Sequence, residues 1–333
     1  MAQKGTFRAV ILAGGSGERF WPLSTPERPK QFLRVFGGES LIRQAVSRLD
    51  GLVAPEDVFV VTAKNLVAAT RRELPQVPRA NIVGEPMRRD TGAAVALGVG
   101  IAADGADPVV GFFSSDQMVA DAKGFRRTVA RAVSLARRRA AIVTIGIRPD
   151  YPATCFGYIS PRTRAFVEKP DEATAKKYVR EGYLWNAGMF IARASVFRDA
   201  FAAHAPALCG LCASAVPRLS SAKLKGLYES LPKISFDYAV MEHAKNVEVV
   251  PGDFGWDDVG SFAAFDKYFP HDARGNVREG PCTVVEADGN ICVARSARIS
   301  LLGVKNLVVV TTPNSVLVAD KSRLTEMKKL FAK

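Results

Sequence analysis

Long apolar runs are absent from this chain of 333 residues. Continuous stretches such as 9–13 and 307–310 are much shorter than the roughly 18–20 residues that a transmembrane helix needs. Residues 1–8 also contain no apolar segment of the kind that a secretory signal requires. We therefore expect a cytoplasmic chain with no signal peptide and no membrane partner.

Cysteine and histidine are scarce, with five and three residues respectively. So few cysteines favour reduced thiols over a disulfide framework. Cys209 and Cys212 have the spacing of a metal or redox pair, but no second pair accompanies them. Because both lie in an apolar, helix-like stretch, we predict that they pack in a core.

Acidic residues are outnumbered: 33 Asp and Glu stand against 46 Lys and Arg, which gives a net charge of +13. This charge favours acidic partners without choosing among nucleic acid, nucleotide and phosphosugar. Arginines at 126–139 are interleaved with apolar residues at helical spacing, which predicts an amphipathic helix with a solvated basic face. No aromatic-rich strand that could stack RNA bases lies nearby, so we expect no nucleic-acid partner.

Strand-like and helix-like segments alternate over the first half of the chain. The pattern predicts a Rossmann-like α/β fold, with a mixed, mainly parallel sheet and helices on both faces. After residue 270 the sequence pattern changes to short, closely spaced β-strand-like runs. A terminal helix follows, with four apolar residues predicted on one face: Leu324, Met327, Leu330 and Phe331. We therefore predict two domains, 1–270 and 271–333. The predicted strands of the first half are 8–12, 58–62, 82–84, 109–113 and 141–147.

A Gly-rich loop, residues 12–19 with the sequence LAGGSGER, follows the first strand directly. Glycines let main-chain N–H groups approach an anion, although a plain tight turn would use them equally well. The loop is not a dinucleotide fingerprint, because Phe20 stands where a third Gly is expected, and no Gly-Lys-Ser/Thr closes it as a Walker A loop. Arg19 and Lys30 add two cations suited to phosphate.

This loop and the sequence PKQF at 29–32 together resemble the signature of sugar nucleotidyltransferases, specifically the mannose-1-phosphate guanylyltransferase family. The resemblance continues in family order to about residue 265 and implies the nucleotide-diphospho-sugar transferase type of sheet. It also implies a small C-terminal module like a left-handed β-helix. It assigns triphosphate binding to Leu12, Ala13, Gly14, Gly15, Ser16 and Gly17.

Residues 85–93, with the sequence EPMRRDTGA, resemble the guanine-recognition segment of that family. A Glu carboxylate can accept hydrogen bonds from the N1–H and N2–H2 edge of guanine, which adenine lacks. The resemblance therefore assigns nucleotide binding to Glu85, Arg89, Asp90 and Thr91. Asp90 replaces the Asn of the family, and we expect Asp90 or Thr91 to cap the following helix.

Two aspartates match metal ligands of the family. Asp116 follows the strand 109–113, where parallel α/β sheets place ligands. Asp258 lies in FGWDDVGS, which resembles the segment carrying the second metal-binding Asp. The resemblance implies that Asp116 and Asp258 bind Mg²⁺ or another divalent cation.

Three further motifs imply the sugar site: FGYI at 156–159, FVEKP at 166–170 and WNAGMF at 185–190. Asp237, in a fourth motif, is as well explained as an acidic residue that stabilises a helix N-terminus. By resemblance, four residues bind the sugar-1-phosphate: Gly157, Glu168 and Asn186 contact the sugar, and Lys169 binds its phosphate.

The resemblance implies transfer of GMP from GTP to mannose-1-phosphate by metal-assisted, in-line attack on the α-phosphate, which gives GDP-mannose and pyrophosphate. Because two anions must meet, such chemistry depends on charge neutralisation and alignment. We expect GTP and mannose-1-phosphate as partners, and a homodimer. The expected catalytic residues are Arg19, Lys30, Asp116, Lys169 and Asp258.

Two alternatives remain open at this point. Departures from the family pattern at Asp90, Gly92, Gln117 and Phe156 are compatible with another sugar-1-phosphate or another base. The chain could also be a catalytically silent regulatory subunit that binds GDP-mannose. Retention of both metal-binding aspartates argues against a silent subunit.

Overall fold

A computed structural model describes residues 6–15, 17–212 and 220–331. The chain divides into two compact units, Met1–Gly14 with Arg43–Asp257 and Gly15–Ile42 with Asp258–Lys333. Among the described helices, none has the length and apolarity that crossing a bilayer would need. The domain boundary near residue 270 stays a prediction.

A mixed sheet forms the centre of the first unit. The strands of this unit are β1 (Phe7–Ala13), β2 (Val58–Ala63), β3 (Ile82–Glu85), β4 (Val109–Ser114), β5 (Met118–Val119), β6 (Ile142–Ile147), β7 (Tyr158–Ile159), β8 (Phe166–Val167), β9 (Leu184–Arg193), β10 (Val247–Gly252) and β11 (Trp256–Asp257).

The main path of the sheet has the order β10-β6-β9-β4-β1-β2-β3. Strand β9 is antiparallel to both of its neighbours, and the other pairs in this path are parallel. Strand β7 pairs with β8 and β9, whereas β11 and β5 form a separate antiparallel pair. The predicted α/β fold with a mainly parallel sheet is thus confirmed. Strands β9 and β10 were not among the predicted ones.

Helices connect these strands. They are α1 (Leu41–Ser47), which begins in the second unit, α2 (Val67–Glu73), α3 (Asp90–Ala103), α4 (Ala122–Arg138), α5 (Glu172–Arg180), α6 (Ala194–His204) and α7 (Ser221–Glu229). Short 3-10 helices cover Pro55–Asp57, Lys64–Leu66, Arg79–Asn81 and Pro206–Cys212, and a π-helical turn covers Asp237–Met241.

Helix α3 is apolar all round because it is enclosed by the core of the first unit. Gly98 is required there, since a β-carbon at this position would lie 2.5 Å from Phe112 Cε1.

Helix α4 is amphipathic instead: Phe125 and Val129 are buried, and most of its arginines are exposed. Cys212 is buried in the same core, with Cys209 packed against it. The basic face and the core packing of the cysteines are as predicted.

The second unit contains the C-terminal strands and three 3-10 helices. Its elements are the 3-10 helices Glu18–Phe20, Lys30–Phe32 and Lys321–Leu330, α8 (Ala264–Tyr268), β12 (Val277–Glu279), β13 (Cys282–Val285), β14 (Ile291–Ala294), β15 (Ile299–Leu302), β16 (Leu307–Thr312) and β17 (Ser315–Asp320).

Pairing in this unit skips alternate strands. Strands β12, β14 and β16 pair in parallel, as do β13 and β15, and β17 closes the first set in antiparallel fashion. Parallel pairing of every second short strand is the pattern of a β-helix, in which each coil stacks on the previous one. The predicted C-terminal β-helix-like module is confirmed.

The terminal helix differs from its prediction. It is a 3-10 helix, in which residues three apart lie above one another. Leu324 and Met327 are buried, whereas Leu330 and Phe331 are 57% and 44% exposed. The Phe331 ring contacts the Trp21 ring edge-on, with centroids 5.8 Å apart.

Two buried asparagines connect successive coils of the β-helix. Asn276 Nδ2 donates to the Ala287 carbonyl at 2.8 Å, and its Oδ1 accepts from the main-chain N–H of Asn290 at 2.9 Å. Asn290 repeats this role, since its Nδ2 donates to the Val304 carbonyl and its Oδ1 accepts from Leu307 N–H. Each amide therefore donates to one main-chain carbonyl and accepts from one main-chain N–H of the β-helix.

We expect Asn290→Ala to lower the free energy of unfolding by about 1–3 kcal/mol, because Leu307 N–H loses its acceptor and Asn276 Oδ1 loses a donor. Urea denaturation followed by circular dichroism measures the change. Asn314→Ala, in the exposed turn between β16 and β17, is the control and should alter stability by less than about 0.5 kcal/mol. Equal effects of the two substitutions would contradict the proposed role of Asn290.

Candidate functional site

Glu85 ends strand β3 and faces an open cleft of 510 Å³. The side chain is 9% exposed, and its Oε1 accepts a hydrogen bond from the Tyr228 hydroxyl at 3.1 Å. A cleft of this size accommodates a nucleobase or a nucleoside. The cleft is lined by Gly14, Ala63, Lys64, Asn65, Glu85, Pro86, Met87 and Arg88.

The surroundings of Glu85 disfavour its negative charge. Burial raises the pKa of this carboxyl from 4.5 to about 7, and the nearby charge of Asp90 acts in the same direction. The hydrogen bond from Tyr228 opposes both effects because it stabilises the charged form. The carboxyl of Glu85 therefore changes its proton occupancy near neutral pH.

The other three residues predicted to bind the nucleotide lie at the start of α3: Arg89 comes directly before the helix, and Asp90 and Thr91 are its first two residues. Arg89 donates from Nε to the Tyr228 carbonyl at 2.8 Å and from Nη2 to the Glu229 carbonyl at 3.1 Å, so its guanidinium binds the C-terminal end of α7. Asp90 has a positive φ of 64°, and its Oδ1 accepts from Thr91 N–H.

The expected capping of α3 by Asp90 or Thr91 is wrong. The residue before the helix is Arg89, whose side chain makes no capping hydrogen bond. Thr91 Oγ1 instead accepts from Phe236 N–H at 2.9 Å, which ties the start of α3 to the segment before the π-helical turn. The positive φ of Asp90 turns its side chain toward its own neighbour rather than along the helix axis.

The Gly-rich loop is divided between the two units. In the first, the Leu12 carbonyl accepts from Ser115 N–H, and the Ala13 carbonyl accepts from the Thr62 hydroxyl. Gly14 lies beside Glu85, since a β-carbon at this position would be 3.6 Å from Glu85 Oε2. Gly15 belongs to the second unit, and Ser16 lies outside the described residues.

The second unit brings together Gly17, Lys30 and Asp258. Gly17 has a φ of 66°, and a β-carbon there would lie 2.5 Å from the main-chain nitrogen of Lys30, so only glycine fits. Lys30 is 6% exposed, and its Nζ donates to the Asp258 carbonyl at 2.7 Å. Arg19 and Asp258 both lie against Gly260, where a β-carbon would be 3.2 Å from Arg19 Nη1 and 3.4 Å from Asp258 Oδ2.

The residue after Asp258 is strained. Val259 has a φ of 49°, a left-handed conformation that β-branched residues rarely adopt. It is fully buried, and the preceding carbonyl is held by Lys30. Strain of this kind is retained where the surrounding structure fixes the backbone, and it is common at functional sites.

Asp116 lies in the first unit beside a buried arginine that the sequence did not single out. Its Oδ1 accepts from the Ser114 hydroxyl at 2.6 Å. Arg48 Nη2 donates to the Gln117 carbonyl at 2.7 Å, and its positive charge interacts with Asp116. Burial lowers the pKa of Arg48 to about 10, so the guanidinium is still charged at neutral pH. Gln117 Nε2 donates to the Ala187 carbonyl at 2.9 Å.

The described residues contain no group of three or more His, Cys, Asp or Glu side chains arranged to hold a metal ion. The carboxylates of Asp116 and Asp258 nonetheless fit the chemistry of Mg²⁺. This hard cation prefers oxygen ligands and is usually held by one or two carboxylates together with substrate phosphates.

The four residues predicted to bind the sugar phosphate lie together in the first unit. Asn186 N–H donates to the Gly157 carbonyl at 2.8 Å, and Lys169 Nζ contacts Glu168 Oε1 at 2.6 Å. Gly157 and Glu168 are so close that a β-carbon on Gly157 would lie 2.5 Å from Glu168 Oε2. Lys169 has a φ of 46°, so strain is present here as well.

Asp237 also belongs to this group. Asn186 Nδ2 donates to Asp237 Oδ1 at 2.9 Å, and Asn186 Oδ1 accepts from the Thr144 hydroxyl at 2.8 Å. Burial and the charge of Glu168 raise the pKa of Asp237 to about 7, whereas Lys169 lowers it. Asp237 therefore does more than begin the π-helical turn, because it fixes the amide of Asn186.

We expect Glu85→Gln to stabilise the protein above pH 7, by on the order of 2–3 kcal/mol. The raised pKa means that folded Glu85 keeps its proton where the unfolded chain has lost it. The wild type therefore loses stability relative to the variant as the pH rises from 4.5 to about 7. Urea unfolding of both proteins at pH 4 and pH 8 measures this. A difference that does not grow with pH would contradict the raised pKa.

Comparison with known proteins shows which family this chain belongs to. Residues 8–275 match the Nucleotidyl transferase family, and residues 280–333 match the MannoseP isomerase/GMP-like beta-helix domain. The chain is 36% identical to mannose-1-phosphate guanylyltransferase RfbM of Salmonella typhimurium, over 98% of this chain and 72% of that protein. It is 34% identical to mannose-1-phosphate guanylyltransferase of Escherichia coli, over 96% and 72%.

A solved structure is similar over nearly the whole chain. It is the crystal structure of mannose-1-phosphate geranyltransferase from Thermus thermophilus, with a TM-score of 0.88, 36% identity and 98% of each chain covered. The chain therefore belongs to the nucleotidyl transferase family, among the mannose-1-phosphate guanylyltransferases.

Proposed function

We propose that this chain transfers GMP from GTP to mannose-1-phosphate. An oxygen of the sugar phosphate attacks the α-phosphorus, the bond from that phosphorus to the bridging oxygen of the β-phosphate breaks, and pyrophosphate leaves. GDP-mannose and pyrophosphate are the products, so no atom or electron from outside the two substrates is needed. The relatives that carry this activity in their names support the proposal.

The observation that supports guanine as the base is the buried carboxylate of Glu85 at the open cleft. An ionised Glu85 offers acceptor oxygens, and the Watson–Crick edge of guanine presents two donors, N1–H and N2–H2. Adenine lacks these two donors, so it would leave the buried carboxylate oxygens of Glu85 unpaired. Unpaired buried polar groups cost free energy, and adenine would therefore bind more weakly than guanine. Arg89 contributes indirectly in this scheme, because its guanidinium binds α7.

The cluster around Asn186 supports the sugar half of the proposal. Main-chain groups of Gly157, the Glu168 carboxylate and the Asn186 amide are polar groups of the kind that recognise sugar hydroxyls. Lys169 adds the positive charge that a sugar phosphate requires. Because Asp237 and Thr144 already hold Asn186, the amide needs little reorganisation on binding.

Arg19 and Lys30 are proposed to neutralise the β- and γ-phosphates and then the departing pyrophosphate. Main-chain N–H groups of the Gly-rich loop are proposed to bind oxygens of the same phosphates. Asp116 and Asp258 are each proposed as ligands that would hold a divalent cation. When bound, Mg²⁺ supplies charge neutralisation and alignment of phosphate oxygens.

Incubation with GTP, mannose-1-phosphate and Mg²⁺ should yield GDP-mannose and pyrophosphate in equal amounts. A panel of ATP, CTP, UTP and of glucose-1-phosphate and galactose-1-phosphate tests base and sugar selectivity. If a product forms only from another nucleotide or another sugar phosphate, that pair is the true substrate pair and the proposed pair is wrong. Binding of GDP-mannose without any turnover would identify a silent regulatory subunit instead.

Gly157→Ala should raise the KM for mannose-1-phosphate roughly tenfold and leave the KM for GTP within about twofold, because the new methyl group displaces Glu168. Initial-rate kinetics with each substrate varied in turn measures both constants. Gly226→Ala is the matched control, since a β-carbon there meets no atom within 4 Å. Equal changes in both KM values would show that Gly157 does not act on the sugar alone.

Lys30→Ala should lower kcat by about 100-fold or more, because a buried cation that stabilises charge on the leaving group is lost. Turnover is measured at saturating substrates, and thermal unfolding checks that the variant is folded. Lys305→Ala removes an exposed lysine of the same unit, paired with Asp288, and should keep wild-type turnover. A folded Lys30→Ala variant with near wild-type kcat would exclude the proposed role.

A further inference from the structure

The two oxygens of the Glu85 carboxylate have different surroundings. Oε1 accepts from the Tyr228 hydroxyl at 3.1 Å. Oε2 lies on the side of Gly14, where a β-carbon would be 3.6 Å away. Both Gly14 and Glu85 line the cleft. The carboxylate is therefore anchored through one oxygen and presents the other toward the glycine.

Tyr228 is itself held firmly. The side chain is fully buried in the core of the first unit, so its hydroxyl has no freedom to turn to solvent. Its main-chain carbonyl accepts from Arg89 Nε at 2.8 Å, and the neighbouring Glu229 carbonyl accepts from Arg89 Nη2. Arg89 thus fastens the end of α7 to the start of α3, four residues after Glu85 in the chain.

Four parts of the first unit bring charged or hydrogen-bonding groups to Glu85 or to the cleft beside it. Asp90, at the start of α3, disfavours ionisation of Glu85 by repulsion. Lys64 and Arg88 line the same cleft from the segments after β2 and β3. Tyr228, from α7, donates a hydrogen bond that favours ionisation. The proton on the Tyr228 oxygen is secure, because burial raises the pKa of this phenol above its ordinary value.

We propose that Tyr228 is a positioning residue for base selection: its hydroxyl orients the Glu85 carboxylate and keeps it a hydrogen-bond acceptor toward the N1–H and N2–H2 edge of guanine. This inference rests on the proposed function. Without the hydroxyl, Glu85 Oε1 loses its protein donor, and the carboxyl keeps a proton at higher pH. A protonated carboxyl presents an O–H group, which opposes the N–H donors of guanine.

Tyr228→Phe tests this directly, because it removes the hydroxyl and keeps the ring. Titration calorimetry of GTP binding from pH 6 to pH 9 should give roughly tenfold weaker affinity near pH 7.5. The midpoint below which affinity falls should move up by about one pH unit relative to the wild type. A role confined to packing would weaken binding equally at every pH.

Tyr178→Phe is the matched control. Tyr178, in α5, is partly buried, and its ring stacks on the Tyr183 ring with centroids 4.2 Å apart. This variant should keep both the GTP affinity and the pH midpoint of the wild type. If it shifts the midpoint as Tyr228→Phe does, the effect is not specific to Tyr228 and the inference is overturned.

Inosine triphosphate, which lacks the N2 amino group, reports on base selection. The wild type should prefer GTP to this analogue, and Tyr228→Phe should reduce that preference. In a Glu85→Gln background the Tyr228→Phe change should alter GTP affinity by less than about twofold, since the two residues act as one unit. Full additivity of the two substitutions would overturn the inference.

The outcomes distinguish a failure of the proposed function from a failure of the role assigned to Tyr228. If the wild type does not bind GTP at any pH, both the proposed function and the role of Tyr228 are wrong. If the wild type binds GTP and Tyr228→Phe binds it as tightly with an unshifted pH midpoint, only the role of Tyr228 is wrong. If Tyr228→Phe does not fold, Tyr228→Met is used instead with the same expected results, because the flexible Met side chain adapts to irregular space.

Discussion

Main-chain pairing of β9 between β4 and β6 is the constraint on which the first unit depends. This strand is antiparallel to both neighbours: its residues 190–193 pair with β4, and its residues 185–191 pair with β6 across a register shift. Asn186 on β9 is opposite Gly146 and reaches the Gly157 carbonyl, while the Ala187 carbonyl binds Gln117, next to Asp116. One strand therefore fixes both the sugar-side cluster and the segment that carries Asp116.

Much of the fold follows from local sequence, but several parts of the site do not. Buried strands such as β1 and β4 were predictable because they are short apolar runs that end in turn or polar residues. Strand β9 was not, because Asn186 and Gly188 interrupt its apolar pattern. The β3 motif indicated Glu85, yet its partner Tyr228 lies 143 residues away in a helix without any motif. Arg48 was missed for the same reason, since only tertiary contacts distinguish a buried arginine from a solvated one.

Unfavourable surroundings for charge recur at the predicted ligand sites of the first unit. Glu85 and Asp237 both have a pKa raised to about 7 by burial, and each is held by a hydrogen bond from a buried neighbour. Positive φ angles at Asp90 and Lys169 add backbone strain. Such features reduce stability but leave polar groups oriented before a ligand arrives, which lowers the reorganisation needed on binding. The large apolar core around α3 offsets their cost.

The second unit is discontinuous in the chain, because residues 15–42 fold with residues 258–333. Phe20 packs on Phe262, and Phe36 packs on Phe265, so the early segment needs aromatic partners from the late one. During synthesis the segment carrying Arg19 and Lys30 leaves the ribosome long before those partners exist. Until they appear, the buried lysine has no Asp258 carbonyl to bind, so this part of the protein cannot form its native contacts before the late segment has been synthesised.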